Sequence, residues 1–300
     1  MRRNYIIIAA ALALSCGHRE APTSYKEAGR LNFPGDSWEP AAAAVAPDGT
    51  IYVADASLHS AVQVFAPSGI YLGGIGRLGK SAGELFVPTD VAIGPGGKLY
   101  VAEFGTRRVS VYARDGRFLR TLGEGVLTAP FGVAAGPDGT VYVADAEGGG
   151  VFIFSPEGKQ IGHWGASFGV GEAWDVACAA DGRVAVVTAA SRSIYLFPPA
   201  GGKATKLAVA DGAPFTPVEA TFGPDGGVIV LGSRAVADGA EEYSVALFSR
   251  AGVFRQEVDV SLPTPTALAV AADGTIYVGD GSRHEVKVYK PGNGGQSDRG

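Results

Sequence analysis

Short apolar runs alternate with glycine-bearing polar breaks along most of this chain, and the alternation keeps a fixed internal order. Each break leads at once into a run: IYVAD at 51–55, LYVAE at 99–103, VYVAD at 141–145, VAVVT at 184–188, VIVLG at 228–232 and IYVGD at 276–280. A polar loop then leads to another: VQVF (62–65), VSVY (109–112), VFIF (151–154), IYLF (194–197), VALF (245–248) and VKVY (286–289). Short runs rich in Val, Ile, Tyr and Phe, bounded by Gly, Pro and Asp, predict strands. The breaks are PDG at 47–49, PGG at 95–97, PDG at 137–139, ADG at 180–182, PDG at 224–226 and ADG at 272–274, so their last glycines step by 48, 42, 43, 44 and 48. Glycine takes the left-handed backbone of a tight turn, and the Asp before it bonds the backbone two residues on. The pattern therefore predicts six hairpins, each opening a four-stranded antiparallel unit. Strands apolar on both faces need cover on both, which a ring of stacked sheets supplies. The expected fold is all-β: a six-bladed β-propeller of four-stranded antiparallel blades over residues 25–290.

The ends of the repeat array predict how the ring closes. The sixth unit has no apolar run left for a fourth strand; Pro291 and GNGGQSDRG follow, and 291–300 is expected to be a disordered tail. The stretch Tyr25-Lys26-Glu27-Ala28-Gly29-Arg30-Leu31 precedes a loop and Pro40 as a fourth strand does elsewhere. It is expected to complete the last blade and remove the open edge.

Within each unit a Pro precedes the first strand, the turn follows, the second strand reads aromatic-Val-Ala-Asp, and the third ends on an aromatic. Residues 83–111 (GELFVPTDVAIGPGGKLYVAEFGTRRVSV) and 129–154 carry this order almost throughout. The order resembles the NHL repeat over about residues 38 to 290, with the fourth and fifth units matching least. The resemblance implies a ring that serves as an interaction platform for a protein, peptide or glycan. Some NHL-type propellers, the peptidyl-hydroxyglycine amidating lyases, hold a catalytic zinc on histidines just after the Pro that opens the first strand. The matching places here follow Pro40, Pro88, Pro130 and Pro265 and hold Ala41, Thr89, Phe131 and Thr266, none of which replaces an imidazole at zinc.

Composition and charge narrow the setting. Gly at 45 of 300 residues fits many tight turns, and a formal charge of −5 offers no basic face for a nucleic acid backbone. At the N-terminus, Arg2 and Arg3 precede the apolar run Tyr5 to Leu14. Ten residues rise about 15 Å as a helix, half of the roughly 30 Å of a bilayer core, so residues 1–15 read as an export signal. Ala13-Leu14-Ser15-Cys16 resembles a bacterial lipobox with its first two residues exchanged. This implies lipidation of Cys16, a polar leash over 16–24, and a cell-envelope protein held to the membrane by its acyl chains. The other reading is cleavage after Ala13. The second cysteine, Cys178, lies in an apolar run and is expected to be a small buried side chain.

Candidate chemistry gathers where the first strands begin, at the mouth of the central channel. Thr89, Phe131, Trp174 and Thr266 are candidate ligand-binding residues there; Phe131 and Trp174 form either a stacking platform or a channel plug. Asp90, Asp175 and Glu219 start their strands at one height and are candidate calcium ligands, which defines the alternative function, a metal-dependent hydrolase or lyase. The opposing reading turns Asp90 towards a neighbouring blade. No catalytic residue and no cofactor beyond that calcium is assigned. On the outer loops, Arg107, Arg108 and Arg192 are candidates for an anionic ligand, while His59 and His284 read as solvated. Asp55, Glu103, Asp145 and Asp280 recur at one place in four units and read as turn caps. The segment Arg234 to Tyr243, with Asp238, Glu241 and Glu242, reads as a long acidic loop.

Overall fold

A computed structural model describes residues 24–35, 37–199, 201–209, 214–236 and 239–292. The export signal, Cys16, the leash up to residue 23 and the tail from 293 onward lie outside the described residues. Six four-stranded antiparallel sheets form the blades of a β-propeller. The innermost strands are β2 (Pro40–Val45), β6 (Pro88–Ile93), β10 (Pro130–Ala135), β14 (Ala173–Cys178), β18 (Thr216–Phe222) and β22 (Pro265–Val270). Each of the six predicted turns sits between a first and a second strand, with Gly49, Gly97, Gly139, Gly182, Gly226 and Gly274 at φ between 73° and 90°.

The apolar core is split into six layers, one between each pair of neighbouring blades. Tyr52 and Val62 of blade 1 pack on Val91 and Leu99 of blade 2, and so on round to Leu268 and Tyr289 of blade 6 against Leu231 and Val245 of blade 5. Leu31, Trp38 and Ile51 meet Ala267, Tyr277 and Val286 to close the ring. Burying both faces of every blade explains why the second and third strands are apolar throughout rather than alternating.

Closure follows the predicted route. Strand β1 (Tyr25–Arg30) pairs antiparallel with β24 (Glu285–Pro291), giving the last sheet the order β1-β24-β23-β22, with β23 spanning Ile276–Asp280. Pro291, expected in the tail, is the last residue of β24 and lies opposite Tyr25. A clasp beside this strand locks the seam. The Trp38 indole N–H donates to the His284 carbonyl at 2.6 Å, and His284 Nδ1–H donates to the Trp38 carbonyl at 2.6 Å.

Blade 5 departs from the sequence reading. Strands β19 (Val228–Ala235) and β20 (Glu241–Phe248) pair from Ile229↔Leu247 out to Ala235↔Glu241. Most of the expected acidic loop is thus a hairpin that stands above its neighbours, whose second strands end after five residues. Asp238 lies outside the described residues.

Candidate binding face and channel

One local irregularity builds the channel mouth. In every blade the register against the second strand slips near the start of the first strand: between Pro40 and Ala42, Pro88 and Asp90, Pro130 and Gly132, Ala173 and Asp175, Pro217 and Glu219, Pro265 and Ala267. A bulge leaves its extra residue unpaired and re-aims its side chain. The residues skipped are Ala41, Thr89, Phe131, Trp174, Val218 and Thr266. Four of these are the predicted ligand-binding residues of the mouth.

Phe131 and Trp174 are stacked, with ring centroids 4.2 Å apart and planes 18° from parallel. Phe104 extends the group at 5.4 Å from Phe131. Trp174 remains 40 % exposed and Phe104 41 %, so the aromatics form a surface platform and do not plug the channel as buried core. Phe104 escaped the sequence reading, although a signal was present: the same place after the second strand is Ala56, Ala146, Ala189 or Gly281 in other blades. Thr89 and Thr266 do another task. Their hydroxyls donate to the carbonyls of Pro130 (3.1 Å) and Pro40 (2.7 Å), stapling each blade to the next at the rim of the mouth.

One residue further along, three of the six strands carry a carboxylate: Asp90, Asp175 and Glu219. The amide of Val91 bonds the Asp90 side chain instead of the second strand, so this level of the first strand turns its backbone to the channel. Asp90 spans to the next blade and accepts the Val133 N–H at 2.6 Å; Asp175 accepts the Ala220 N–H at 2.7 Å; Glu219 takes that of Leu268. Each acid therefore satisfies an inward amide of the following blade while it also lines the channel. Blade 3 has Gly132 in the equivalent place, where a Cβ would lie 2.8 Å from Asp175 Cα; only glycine lets the two strands approach this closely.

All three acids are buried, and they share one environment. Burial and the nearby Asp175 carboxylate push Asp90 well above the usual range, and burial with Asp175 and Asp90 does the same for Glu219. Burial pushes Asp175 up to about 6 against the opposing pull of the Ala220 and Val176 amides. Glu219 Oε2 has no hydrogen-bond partner. The three line a cavity of about 240 Å³ that runs to the far ends of the first strands. Among the described residues no group of three His, Cys, Asp or Glu side chains is placed to hold a metal ion. Cys178 also lines this cavity, with burial pushing its thiol up to about 12, which leaves it unreactive.

The outer-loop arginines separate. Arg107 and Arg192 are exposed and take the left-handed turn position, at φ 56° and 44°. Arg108 is buried: its Nε donates to Glu103 Oε1 at 3.1 Å, and its Nη2 donates to the carbonyls of Ser81 and Glu84 at 3.1 and 3.2 Å. It ties the second blade together and is not available to a ligand. His59 bonds Ser57 and Asp55 at 2.9 and 3.2 Å, while His284 serves the clasp. The repeated acids are caps, as the turns predict. Asp55 accepts the N–H of Glu39 and Ser57, Asp145 those of Thr128, Ala129 and Gly148, and Asp280 those of Thr264 and Arg283. Glu103 accepts the Phe86 N–H and the hydroxyls of Thr106 and Ser110. Each pins the loop before a first strand to the end of the second.

This geometry defines a six-bladed β-propeller with an aromatic mouth. Among solved structures the chain is similar to a streptogramin B lyase, with a TM-score of 0.63, 12 % identity, and coverage of 91 % of this chain and 100 % of that one. It is also similar to a catalytically inactive virginiamycin B lyase from Staphylococcus aureus with quinupristin (TM-score 0.60, 13 % identity, 89 % and 99 % covered). The WD40 β-propeller domain of Doa1 matches with a TM-score of 0.64 at 14 % identity, covering 90 % and 98 %. At these identities the likeness shows the fold alone. No protein-family model and no curated protein matches the sequence.

Proposed function

We propose that this propeller is a non-catalytic binding platform of the bacterial cell envelope, which holds a peptide, protein or glycan on its aromatic mouth. The observation that carries the reading is the Phe131–Trp174 stack: two rings already ordered in parallel, with a large part of the indole left to solvent. Such a surface offers a flat face to a sugar ring, a proline or an aromatic side chain without an ordering cost of its own. The extended blade-5 hairpin, with Glu241 and Glu242 exposed, adds an acidic wall. A ring of this kind does not by itself fix a function, so the site decides. Here Thr89 and Thr266 are stapled between blades, and the channel acids are bonded to backbone amides.

The experiment is a screen of a glycan array and a peptide library against the chain and its Trp174→Ala variant. A ligand whose affinity falls at least about tenfold in the variant, with thermal stability retained, supports the platform; one residue of a central stack commonly carries that much. A ligand bound equally by both proteins removes Trp174 from the site and ends the reading.

The envelope part of the proposal rests on the sequence of residues 1–24. Among the described residues no helix is long and apolar enough to cross a membrane. In a bacterial host, the protein should fractionate with membranes and carry a mass shift on Cys16. A Cys16→Ala variant should leave the membrane fraction; equal partition of both proteins would overturn the anchor.

A further inference from the structure

Blade 2 differs from the others in the loop that leads into its first strand, and each difference bears on Phe104. In blades 1, 3 and 6 the acid that ends the second strand takes the N–H of a residue just before the strand-opening Pro: Glu39, Ala129 and Thr264. Blade 2 has the longer Glu103 there, and it takes the N–H of Phe86, one place earlier. Val87 is left-handed, at φ 54°, whereas the matching Glu39, Ala129, Glu172, Thr216 and Thr264 are not. A β-branched side chain disfavours that backbone, and the following proline pushes its predecessor towards an extended one. The turn gives blade 2 two backbone bonds where blades 1, 3 and 4 make one: Phe104 N–H donates to the Val87 carbonyl at 3.1 Å, and Gly105 N–H to that of Phe86 at 3.2 Å. Gly105 fits only without a side chain, since a Cβ would lie 2.3 Å from the Phe86 ring. Strain of this kind persists where the structure around it fixes a working group. Here that group is Phe104, held 5.4 Å from Phe131 in the platform.

The residues that the bulges aim at the mouth decide what such a platform can hold. They are Ala41, Thr89, Phe131, Trp174, Val218 and Thr266, with no carboxylate, amide or amine among them. The hydroxyls of Thr89 and Thr266 already donate to the carbonyls of Pro130 and Pro40. The Trp174 indole N–H meets no acceptor among the described residues, and the side chain is 40 % exposed. A sugar brings many hydroxyl donors, and this ring has few acceptors to meet them. A run of prolines brings carbonyl acceptors and no N–H at all. Its polyproline II helix needs no backbone partner and is ordered before it binds. Phe104 and Trp174, the two exposed rings, flank Phe131 and stand no more than about 10 Å apart, a span that one three-residue turn of that helix, about 9.3 Å, covers.

We infer that the mouth is a receptor for a proline-rich segment in the polyproline II conformation, and that the Phe86–Val87 turn positions Phe104 as its second ring contact. The inference rests on the platform reading and narrows it to one ligand class. The Trp174 N–H donates to a proline carbonyl, and prolines one turn apart pack on Trp174 and Phe104. Val87 acts through Phe104.

The test is calorimetric titration of the full chain with a decaproline peptide, beside a Gly-Ser decapeptide and maltohexaose. Saturable one-site binding of decaproline alone is expected. Phe104→Ala and Trp174→Ala should each weaken it at least about tenfold. Val87→Pro, which cannot turn left-handed, should weaken it to the same degree and cost nothing further when Phe104 is already alanine. A merely structural role would cost affinity in both backgrounds. If Val87→Pro does not fold, Gly105→Ala, which pushes on the Phe86 ring, takes its place. Absence of decaproline binding, equal binding by Phe104→Ala, or a Val87→Pro loss that persists in the Phe104→Ala background would overturn the inference. Maltohexaose bound through Trp174 in place of decaproline would overturn it and leave the platform standing, whereas decaproline bound equally by Trp174→Ala would overturn both.

Discussion

Asp90 of the second blade accepts the backbone N–H of Val133 in the third at 2.6 Å, while its other oxygen accepts the N–H of Val91 in its own strand. The innermost strand of a blade has one unpaired edge, and that edge faces the channel. A carboxylate placed just past the bulge supplies the acceptor that a neighbouring strand cannot. Asp175 and Glu219 repeat the arrangement, so three acids are brought within reach of one another's charge.

This crowding predicts an inverted response to mild acid. The three folded-state pKa values are raised, so the folded protein holds more protons than the unfolded chain between about pH 4 and each raised value. Their contribution to stability is therefore greatest below the unfolded pKa and is lost as pH rises through about 6 for Asp175. The surface acids Asp48, Asp138 and Asp273 are lowered, each by a bond from the amide two residues on, and act in the opposite sense below about pH 4. Thermal melts should show a higher midpoint near pH 5 than near pH 8, and Asp175→Asn should flatten the difference. A midpoint that rises steadily from pH 5 to 8 would contradict the shared burial of the acids.

Two tyrosines predict a substitution that costs nothing. One position near the end of the third strand holds Phe65, Phe154, Phe197 and Phe248 in four blades, but Tyr112 and Tyr289 in the others. Both hydroxyls are buried without a partner, and burial pushes Tyr289 up to about 12. Tyr112→Phe and Tyr289→Phe should be neutral or stabilising by up to about 1–2 kcal/mol, since an unmet buried hydroxyl carries a desolvation cost of that order. Urea unfolding would measure this, and a loss above about 1 kcal/mol would show that the hydroxyls are bonded.

Neighbouring arginines should respond differently. Arg108→Ala strands the buried Glu103 carboxylate and should cost about 3–5 kcal/mol, as breaking a buried pair does. Arg107→Ala, at an exposed turn, should stay within about 0.5 kcal/mol. Comparable losses for both in chemical denaturation would mean that the buried pair is not holding the blade.

The seam predicts a graded loss. Trp38 is buried in the layer between blades 6 and 1, and its removal as Trp38→Ala should cost about 3–5 kcal/mol. His284→Ala removes one bond of the clasp and should cost about 1 kcal/mol. Removing β1 altogether exposes the edge of β24, and the shortened chain should associate or unfold; a stable monomer on size-exclusion chromatography would deny β1 its role.

Much of the ring was legible because each blade states its own hairpins. The glycine turns, the apolar second and third strands, and even the donation of Tyr25–Arg30 to the last blade follow from local chemistry and from counting strands. The site was legible only in part, because its geometry is made between blades. The sequence places Asp90 and Asp175 at equivalent points, but which amide each one reaches depends on the neighbouring strand. Arg107 and Arg108 look alike in a row of letters; a left-handed turn at the first sends the second inward. The segment from Arg234 to Tyr243 is polar enough to pass for a loop, yet continued pairing with no apolar signal extends it as a hairpin. Phe104 was visible only as a large residue where other blades keep a small one.

Ring closure by β1 also fixes how the propeller can be held. Strand β1 is the outermost of its blade, and Gly292 donates its N–H to the Ser24 carbonyl at 2.8 Å, so both ends of the described chain leave together from the circumference. Whatever is attached ahead of Ser24 grips the disc at a single point on its edge, like a hinge on a coin. The aromatic mouth and the far opening of the channel both lie at the hub, away from that point.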